Sequence, residues 1–215
     1  MDANRFYNIE PSCQITGLEF IYQGMFGTGY SKGTFVEVGA FDGRTYSNTW
    51  GLAELGWIGI YIEPIKDSYD RCVSNHKDHP RITVLQEMVS DHVHDVSVYK
   101  AGDLYTIDRN MASIHDAKHT GSWMTTKTLH MILKEHNWRN YDLLVVDAEG
   151  EDMNVLMGAN LNLHKPRMII VEACAYHPNQ AMRHHNDAIH ELMYIFMYKR
   201  VYADHINSIY VSMEA

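Results

Sequence analysis

The stretch Gly33-Thr34-Phe35-Val36-Glu37-Val38-Gly39-Ala40-Phe41-Asp42-Gly43 limits the possible folds most, because a β-branched apolar run stops abruptly at two glycines and an aspartate. Val36 and Val38 suit a strand covered on both faces, while Gly39 and Gly43 let the backbone turn tightly and approach a ligand where a Cβ would intrude. Polar residues Thr45 to Asn48 then precede Trp50, Leu52, Ala53 and Leu55, which predicts a helix N-terminus with unpaired amides directly after the loop. A second apolar run, Trp57 to Ile62, ends at Glu63-Pro64. Strand, glycine loop, helix, strand and acid together predict the opening of a doubly wound α/β sheet. There the acid at the second strand's tip lies beside the glycine loop and can accept hydrogen bonds from both hydroxyls of a ribose.

What the loop lacks narrows the nucleoside. A dinucleotide fingerprint needs G-x-G-x-x-G so that a pyrophosphate can rest on backbone amides, but Phe41 takes the middle glycine position and the acids Glu37 and Asp42 flank the turn. Negative groups there repel phosphate and suit a ligand that pairs a ribose with a cation. S-adenosylmethionine, with an adenosine, a sulfonium and an ammonium, has that chemistry.

The same residues carry a family resemblance. Val36-Glu37-Val38-Gly39-Ala40-Phe41-Asp42-Gly43, Tyr46-Ser47-Asn48-Thr49, Leu55-Gly56-Trp57-Ile58-Gly59-Ile60 and Ile62-Glu63-Pro64 resemble the opening of the FkbM-like S-adenosylmethionine-dependent methyltransferases. Farther on, Leu144-Val145-Val146-Asp147-Ala148-Glu149-Gly150-Glu151-Asp152 resembles that family's D-x-E-G-x-E segment, and Ile169-Ile170-Val171-Glu172 its following strand. The chain departs in having Glu37 where aspartate is commoner and Asp152 where the segment's last glutamate falls; neither change removes a charge. The resemblance implies a Rossmann-like class I methyltransferase fold, α/β, with a seven-stranded, mostly parallel sheet and a terminal antiparallel strand. It also implies methyl transfer to an oxygen of a sugar, glycan or other small hydroxylated acceptor.

Composition agrees with one domain over 1–215: an N-terminal helical segment, 1–32, before a core, 33–215. Of 215 residues 46% are hydrophobic and 21% charged, enough apolar chain for a full core. A net charge of -9 argues against a general nucleic-acid surface, which needs a basic stripe. No run reaches the ~20 apolar residues of a membrane helix and Met1 to Ser12 has no apolar signal core, so a cytoplasmic protein without a membrane partner is expected. Cys13, Cys72 and Cys174 are odd in number and scattered, and read as small apolar residues rather than a disulfide framework.

Ser12 predicts the cap of a helix with Ile15, Leu18, Ile21 and Tyr22 on one face, packed over the sheet's carboxyl edge; Ser12, Gln14 and Glu19 resemble a family segment that hints at a cofactor lid. Further elements are a helix over Asp67 to Asn75, strands at Arg81 to Leu85 and Val96 to Tyr99, and a helix over Thr126 to His136. After these come strands at Leu143 to Val146 and Arg167 to Val171, a helix over Asn186 to Phe196, and a closing antiparallel pair, Arg200 to Ala203 with Ser208 to Val211. Ala101 to Trp123 reads as one long irregular, acceptor-facing loop holding Arg109, Asn110, Ser113, His115, Asp116, His119 and Trp123. His115 and His119 are read as a solvated helical turn rather than a metal pair, and His92, His94, His184, His185 and His190 as surface residues.

The candidate cofactor site is Glu37, Gly39, Ala40, Phe41, Asp42, Gly43, Ser47, Asn48, Glu63 and Pro64, with Met88 and Val89 sandwiching the base and Asp147 at a neighbouring strand tip. Transfer to a hydroxyl needs a group that takes up its proton. Asp147, Glu149 and Glu172 qualify, with His177 as a competitor; alternatively Asp147 and Glu172 hold Mg²⁺, which would acidify the acceptor. Two other functions stay open. An RNA cap 2′-O-methyltransferase is disfavoured because Glu172 stands where its lysine is expected, and a non-catalytic cofactor-binding or interaction domain because acids stand at three strand tips.

Overall fold

The structure is a computed structural model that describes residues 13–27, 32–173 and 180–214, without the side chains of 180–182. Helix α1 (Leu18–Phe26) precedes β1 (Thr34–Val38), and the glycine loop leads from β1 into a one-turn helix, α2 (Trp50–Glu54). Strand β2 (Ile58–Ile62), helix α3 (Lys66–Asn75) and β3 (Ile82–Leu85) complete the first half. An excursion follows: β4 (Met88–Ser90), β5 (Asp95–Ala101), β6 (Leu104–Thr106), α4 (Arg109–Ile114) and β7 (Lys118–Thr128). The chain then returns through α5 (Leu129–Glu135), β8 (Leu143–Val146), α6 (Asp152–Gly158), α7 (Leu161–His164), β9 (Met168–Val171), α8 (Gln180–Ile195), β10 (Tyr198–Ala203) and β11 (Ser208–Ser212).

Seven strands form the main sheet in the order β10-β11-β9-β8-β1-β2-β3, with β11 antiparallel to both neighbours and the other pairings parallel. Successive residues of a strand point to opposite faces, so each central strand feeds two cores. Phe35, Tyr61, Leu143, Val145, Met168 and Ile170 pack with Leu18 and Tyr22 of α1, Leu52 of α2 and Trp57. Val36, Val38, Ile60, Ile62, Leu144 and Val146 face the other way, against Leu129 and Ile132 of α5, Val155 and Leu156 of α6, and Ile189 and Met193 of α8. Full burial of one such side chain contributes about 1.5–3 kcal/mol, so this two-sided core is what holds the strand tips in place.

Four sequence expectations change. Ala101 to Trp123 is not irregular: β6, α4 and most of β7 lie in it, β7 pairs antiparallel with β5, and Asp108 caps α4 by accepting the Met111 amide at 2.7 Å. The strand was hidden because Lys118 to Trp123 are all exposed or nearly so, which leaves no apolar alternation to read. The helix placed over Thr126 to His136 begins only at Leu129, since Thr126 to Thr128 pair with Met88 to Ser90 and Thr128 accepts the Met131 amide as N-cap. His115 ends α4 while His119 lies on β7, so the two share no helix. Helix α1 starts at Leu18 and packs on a sheet face rather than over the carboxyl edge, which Gln14 ahead of it reaches; Ser12 and Cys174 lie outside the described residues. Cys72 is buried and Cys13 half-buried, both as free thiols. Among the described residues no helix is long and apolar enough to cross a membrane.

Candidate active site

The carboxyl ends of β1, β2 and β8 and the strand β6 enclose a cavity of about 470 Å³. The parallel register brings these tips together. Val38 pairs with Ile62 on one side and Val146 on the other, so Gly39, Glu63 and Asp147 follow at one level. Gly39 is the residue this junction cannot replace: at φ +80°, a Cβ there would stand 1.7 Å from the Asp147 carbonyl oxygen.

The loop spends its amides internally. Gly39 and Ala40 donate to the Ile62 carbonyl at 3.0 and 3.1 Å, Gly43 donates to the Ala40 carbonyl at 2.7 Å, and Arg44 and Thr45 donate to Asp42 Oδ1 at 2.9 and 2.7 Å. The helix start behaves likewise, since Ser47 Oγ accepts the Thr49 and Trp50 amides at 3.2 and 3.1 Å; the unpaired amides expected from the sequence are thus already occupied. A phosphate would find few donors here.

Acceptors face the cavity instead. Glu63 Oε2 accepts the Phe41 amide and Oε1 the Ile65 amide, both at 2.8 Å, so each oxygen keeps a lone pair. Glu37 Oε2 accepts from Ser47 Oγ at 3.1 Å and from the Thr49 hydroxyl, which lies 2.8 Å from the Tyr61 phenol oxygen. Burial raises both carboxyls from the usual 4.5 to about 7. Asp147 Oδ2 accepts from Gln14 Nε2 at 3.0 Å, and Asn207 donates to Gln14 Oε1 at 3.1 Å, which fixes how the amide of Gln14 is turned. A hydrogen bond joins Asp147 to Glu172; burial raises both, Glu172 furthest because Asp147, Asp152 and Glu149 surround it with like charge. Burial and the like charges of Asp147 and Asp152 bring Glu149 to about 8, and burial first of all brings Asp152 to about 7 although it accepts the Ala148 and Gly150 amides.

Of the residues expected at the cofactor, Glu37, Gly39, Ala40, Phe41, Ser47, Glu63, Pro64, Met88, Val89 and Asp147 line the cavity. Three lie behind it. Asp42 shapes the turn, Gly43 packs against Cys72 and His76, and Asn48 is buried with its carbonyl accepting the Tyr22 hydroxyl at 2.7 Å. Glu149 lines the cavity; Glu172 does not, and reaches it only through Asp147. His177 lies outside the described residues. For Mg²⁺ at Asp147 and Glu172, no group of three or more His, Cys, Asp or Glu side chains arranged to hold a metal ion occurs among the described residues. Of the stretch from Ala101 to Trp123 expected to face the acceptor, Asp103 to Ile107 line the cavity, tied to the acidic loop by the Thr106 hydroxyl donating to the Glu149 carbonyl at 2.7 Å, while Arg109, Asn110, Ser113, His115, Asp116, His119 and Trp123 do not line it; sequence reading missed which residues of the stretch form the wall. The available signal was Thr106-x-Asp108 before Arg109, a helix-start pattern. His185 was also misplaced at the surface: it is half-buried, with Nε2 4.0 Å from Asp152 Oδ2.

A strand order with the antiparallel hairpin strand inserted beside β9, and a cavity over the carboxyl ends of β1 and β2, is the architecture of the class I methyltransferases. The chain belongs to the methyltransferase FkbM domain family, whose model matches residues 37–202. A comparison with curated proteins gives no match. Among solved structures, the methyltransferase domain of METTL16 shares 13% identity over 91% of this chain and 66% of its own, with a TM-score of 0.52. A Staphylococcus aureus protein assigned as a caffeoyl-CoA O-methyltransferase shares 11% identity over 84% of this chain and 76% of its own, with a TM-score of 0.51. Both are similar in fold.

Proposed function

We propose that the protein transfers a methyl group from S-adenosylmethionine to a hydroxyl oxygen of an uncharged acceptor, a sugar or similar small polyol. The observation that carries this reading is the charge of the cavity. Glu37, Glu63, Asp147 and Glu149 stand at the strand tips and Glu87, Asp103 and Glu151 farther along the wall, while among the described residues that line it there is no lysine, arginine or histidine. An anionic acceptor such as a phosphosugar or an RNA strand would have to enter a negative field.

The residues fit the cofactor. Glu63 has lone pairs left for two ribose hydroxyls, Pro64, Met88 and Val89 supply apolar wall for a base, and the strand-tip acids favour a cation where phosphate finds few free amides. When bound, S-adenosylmethionine supplies an electrophilic methyl group. The chain's own part is to align the acceptor and accept its proton. Asp147 faces the cavity, is held by Gln14, and has its basicity increased by burial, so it takes the proton; Glu172 behind it, raised further by burial and by like charge, already carries a proton of its own and donates it in a hydrogen bond to Asp147.

Incubation with methyl-labelled S-adenosylmethionine and a panel of neutral glycosides, phosphosugars and capped RNA, with and without EDTA, tests the reading. Label is expected in neutral hydroxylated acceptors. Label confined to anionic acceptors would overturn the charge argument, and loss of transfer under EDTA with recovery in Mg²⁺ would replace the carboxylate base with a metal.

A further inference from the structure

Behind the cofactor loop, the end of α3 makes a row of contacts that the reading above does not use. The Arg71 guanidinium lies 4.6 Å over the Phe41 ring, Asn75 Nδ2 donates to the Asp42 carbonyl at 2.8 Å, and His76 Nε2 stands 2.9 Å from the Gly43 carbonyl. Three consecutive loop residues are thus held from one side, by groups that do not line the cavity. His76 is buried at 5% exposure, with its ring stacked on Tyr61 at 4.3 Å and its Nδ1 2.9 Å from His79 Nδ1. A carbonyl only accepts, so Nε2 of His76 carries the proton; its Nδ1 is then an acceptor, and His79 Nδ1 must donate. Burial lowers His76 to about 4, which keeps this neutral form at physiological pH.

We propose that His76, locked as the Nε2–H tautomer by His79, is a positioning residue that sets the loop's shape and through it the affinity for S-adenosylmethionine, without touching the ligand. The inference rests on reading the cavity as the cofactor site. The Gly43 carbonyl fixes the peptide plane at the end of the turn that the Gly43 amide closes on Ala40. If that plane swings, the turn opens and the Phe41 amide leaves Glu63, whose oxygens are then no longer aimed. The contact also leaves no room for a side chain, since a Cβ on Gly43 would stand 2.6 Å from both His76 Nε2 and Cys72 Sγ.

The test combines imidazole ¹⁵N NMR of the wild type with calorimetric titration of S-adenosylhomocysteine into the wild type, His76→Leu, His76→Gln and His79→Phe. The NMR is expected to show His76 protonated on Nε2 alone. His76→Leu should weaken binding by about tenfold or more, the scale of a buried carbonyl left without its donor. His76→Gln, whose amide reaches the Nε2 position, should recover most of that loss. His79→Phe keeps His76 but removes the lock, and should weaken binding while letting His76 populate its other tautomer. A His76 proton on Nδ1 in the wild type, or wild-type affinity in His76→Leu, overturns the proposal. If His76→Leu does not fold, wild-type affinity in His79→Phe does so instead. A wild type that binds no S-adenosylhomocysteine would refute the cofactor reading itself, a result these variants cannot mimic.

Discussion

Exchanging Glu63 for glutamine separates what this carboxylate does for the fold from what it does for the cofactor. Burial raises its pKa from 4.5 to about 7, even though it accepts two backbone amides at 2.8 Å. A carboxyl whose folded pKa is raised stays protonated in the folded protein while the unfolded chain ionises, so stability is lost as pH rises from about 4.5 to about 7. From those two values the penalty is about 3 kcal/mol at pH 8 and about 1.5 kcal/mol at pH 5.5, a tenfold change in proton affinity being worth about 1.4 kcal/mol. Glutamine removes the penalty but has a single acceptor oxygen, so either the Phe41 or the Ile65 amide meets an NH₂ group, at a cost of about 1–3 kcal/mol at either pH. Whatever that cost proves to be, the variant should compare with wild type about 2 kcal/mol more favourably at pH 8 than at pH 5.5. In a chain of this length that is about 4–8 °C in relative Tm. Cofactor affinity should move the other way, because a charged acceptor for the ribose is worth about 1.5–3 kcal/mol, or roughly 10–150-fold in Kd. Thermal melts at the two pH values and titration of S-adenosylhomocysteine supply both numbers. A relative Tm that does not improve with pH would refute the buried-carboxylate account, and unchanged affinity would remove Glu63 from the cofactor site.

Gly39→Ala should destabilise by more than about 4 kcal/mol or fail to fold, since its Cβ meets backbone rather than a movable side chain; urea denaturation decides, and a stable variant would mean that the tips of β1 and β8 are farther apart. Asp147→Ala should lower kcat by about a hundredfold or more in the labelled-methyl assay, and a near-wild-type rate would take Asp147 out of the proton transfer. With no ligand, stability should fall as pH rises from about 4.5 and level off between about 7 and 8, because the unfolded chain ionises these carboxyls near 4.5 for Glu and 3.8 for Asp, while the folded protein keeps Glu37, Glu63 and Asp152 protonated up to about 7 and Glu149 up to about 8. Denaturant midpoints that rise over the same range would contradict this.

The sheet was legible because its strands are covered on both faces: Leu143 to Val146 and Ile169 to Val171 are continuous apolar runs, and glycine or acid marks where each stops. The half of the cavity proposed for the cofactor was legible for the same reason. Strand-tip position follows from where an apolar run ends, and Gly39, Glu63 and Asp147 are each the first residue after one. The excursion was not, because β7 rests on β5 with its Lys118 to Trp123 side chains towards solvent, and such a strand shows no periodic signal. Nor was the work of Thr49, His76 and Gln14 visible. Their partners Glu37, Gly43 and Asp147 lie 12, 33 and 133 residues away, and only the folded sheet brings them together.

The excursion that walls the cavity leaves and rejoins the main chain at a single place, because β4 and the end of β7 run side by side in parallel from Met88 to Ser90 and Thr126 to Thr128. Everything between is a closed loop hung from that seam, and closing such a loop depends only weakly on its length, about 0.6 kcal/mol for each doubling. On the proposed reading, the strand-tip residues at the cofactor and the excursion residues at the acceptor therefore belong to two different pieces of the chain. The piece from Asp91 to Thr125 contributes no strand to the seven-stranded sheet, so on that reading a lineage of such proteins has a way to change acceptors without rebuilding the nucleotide site.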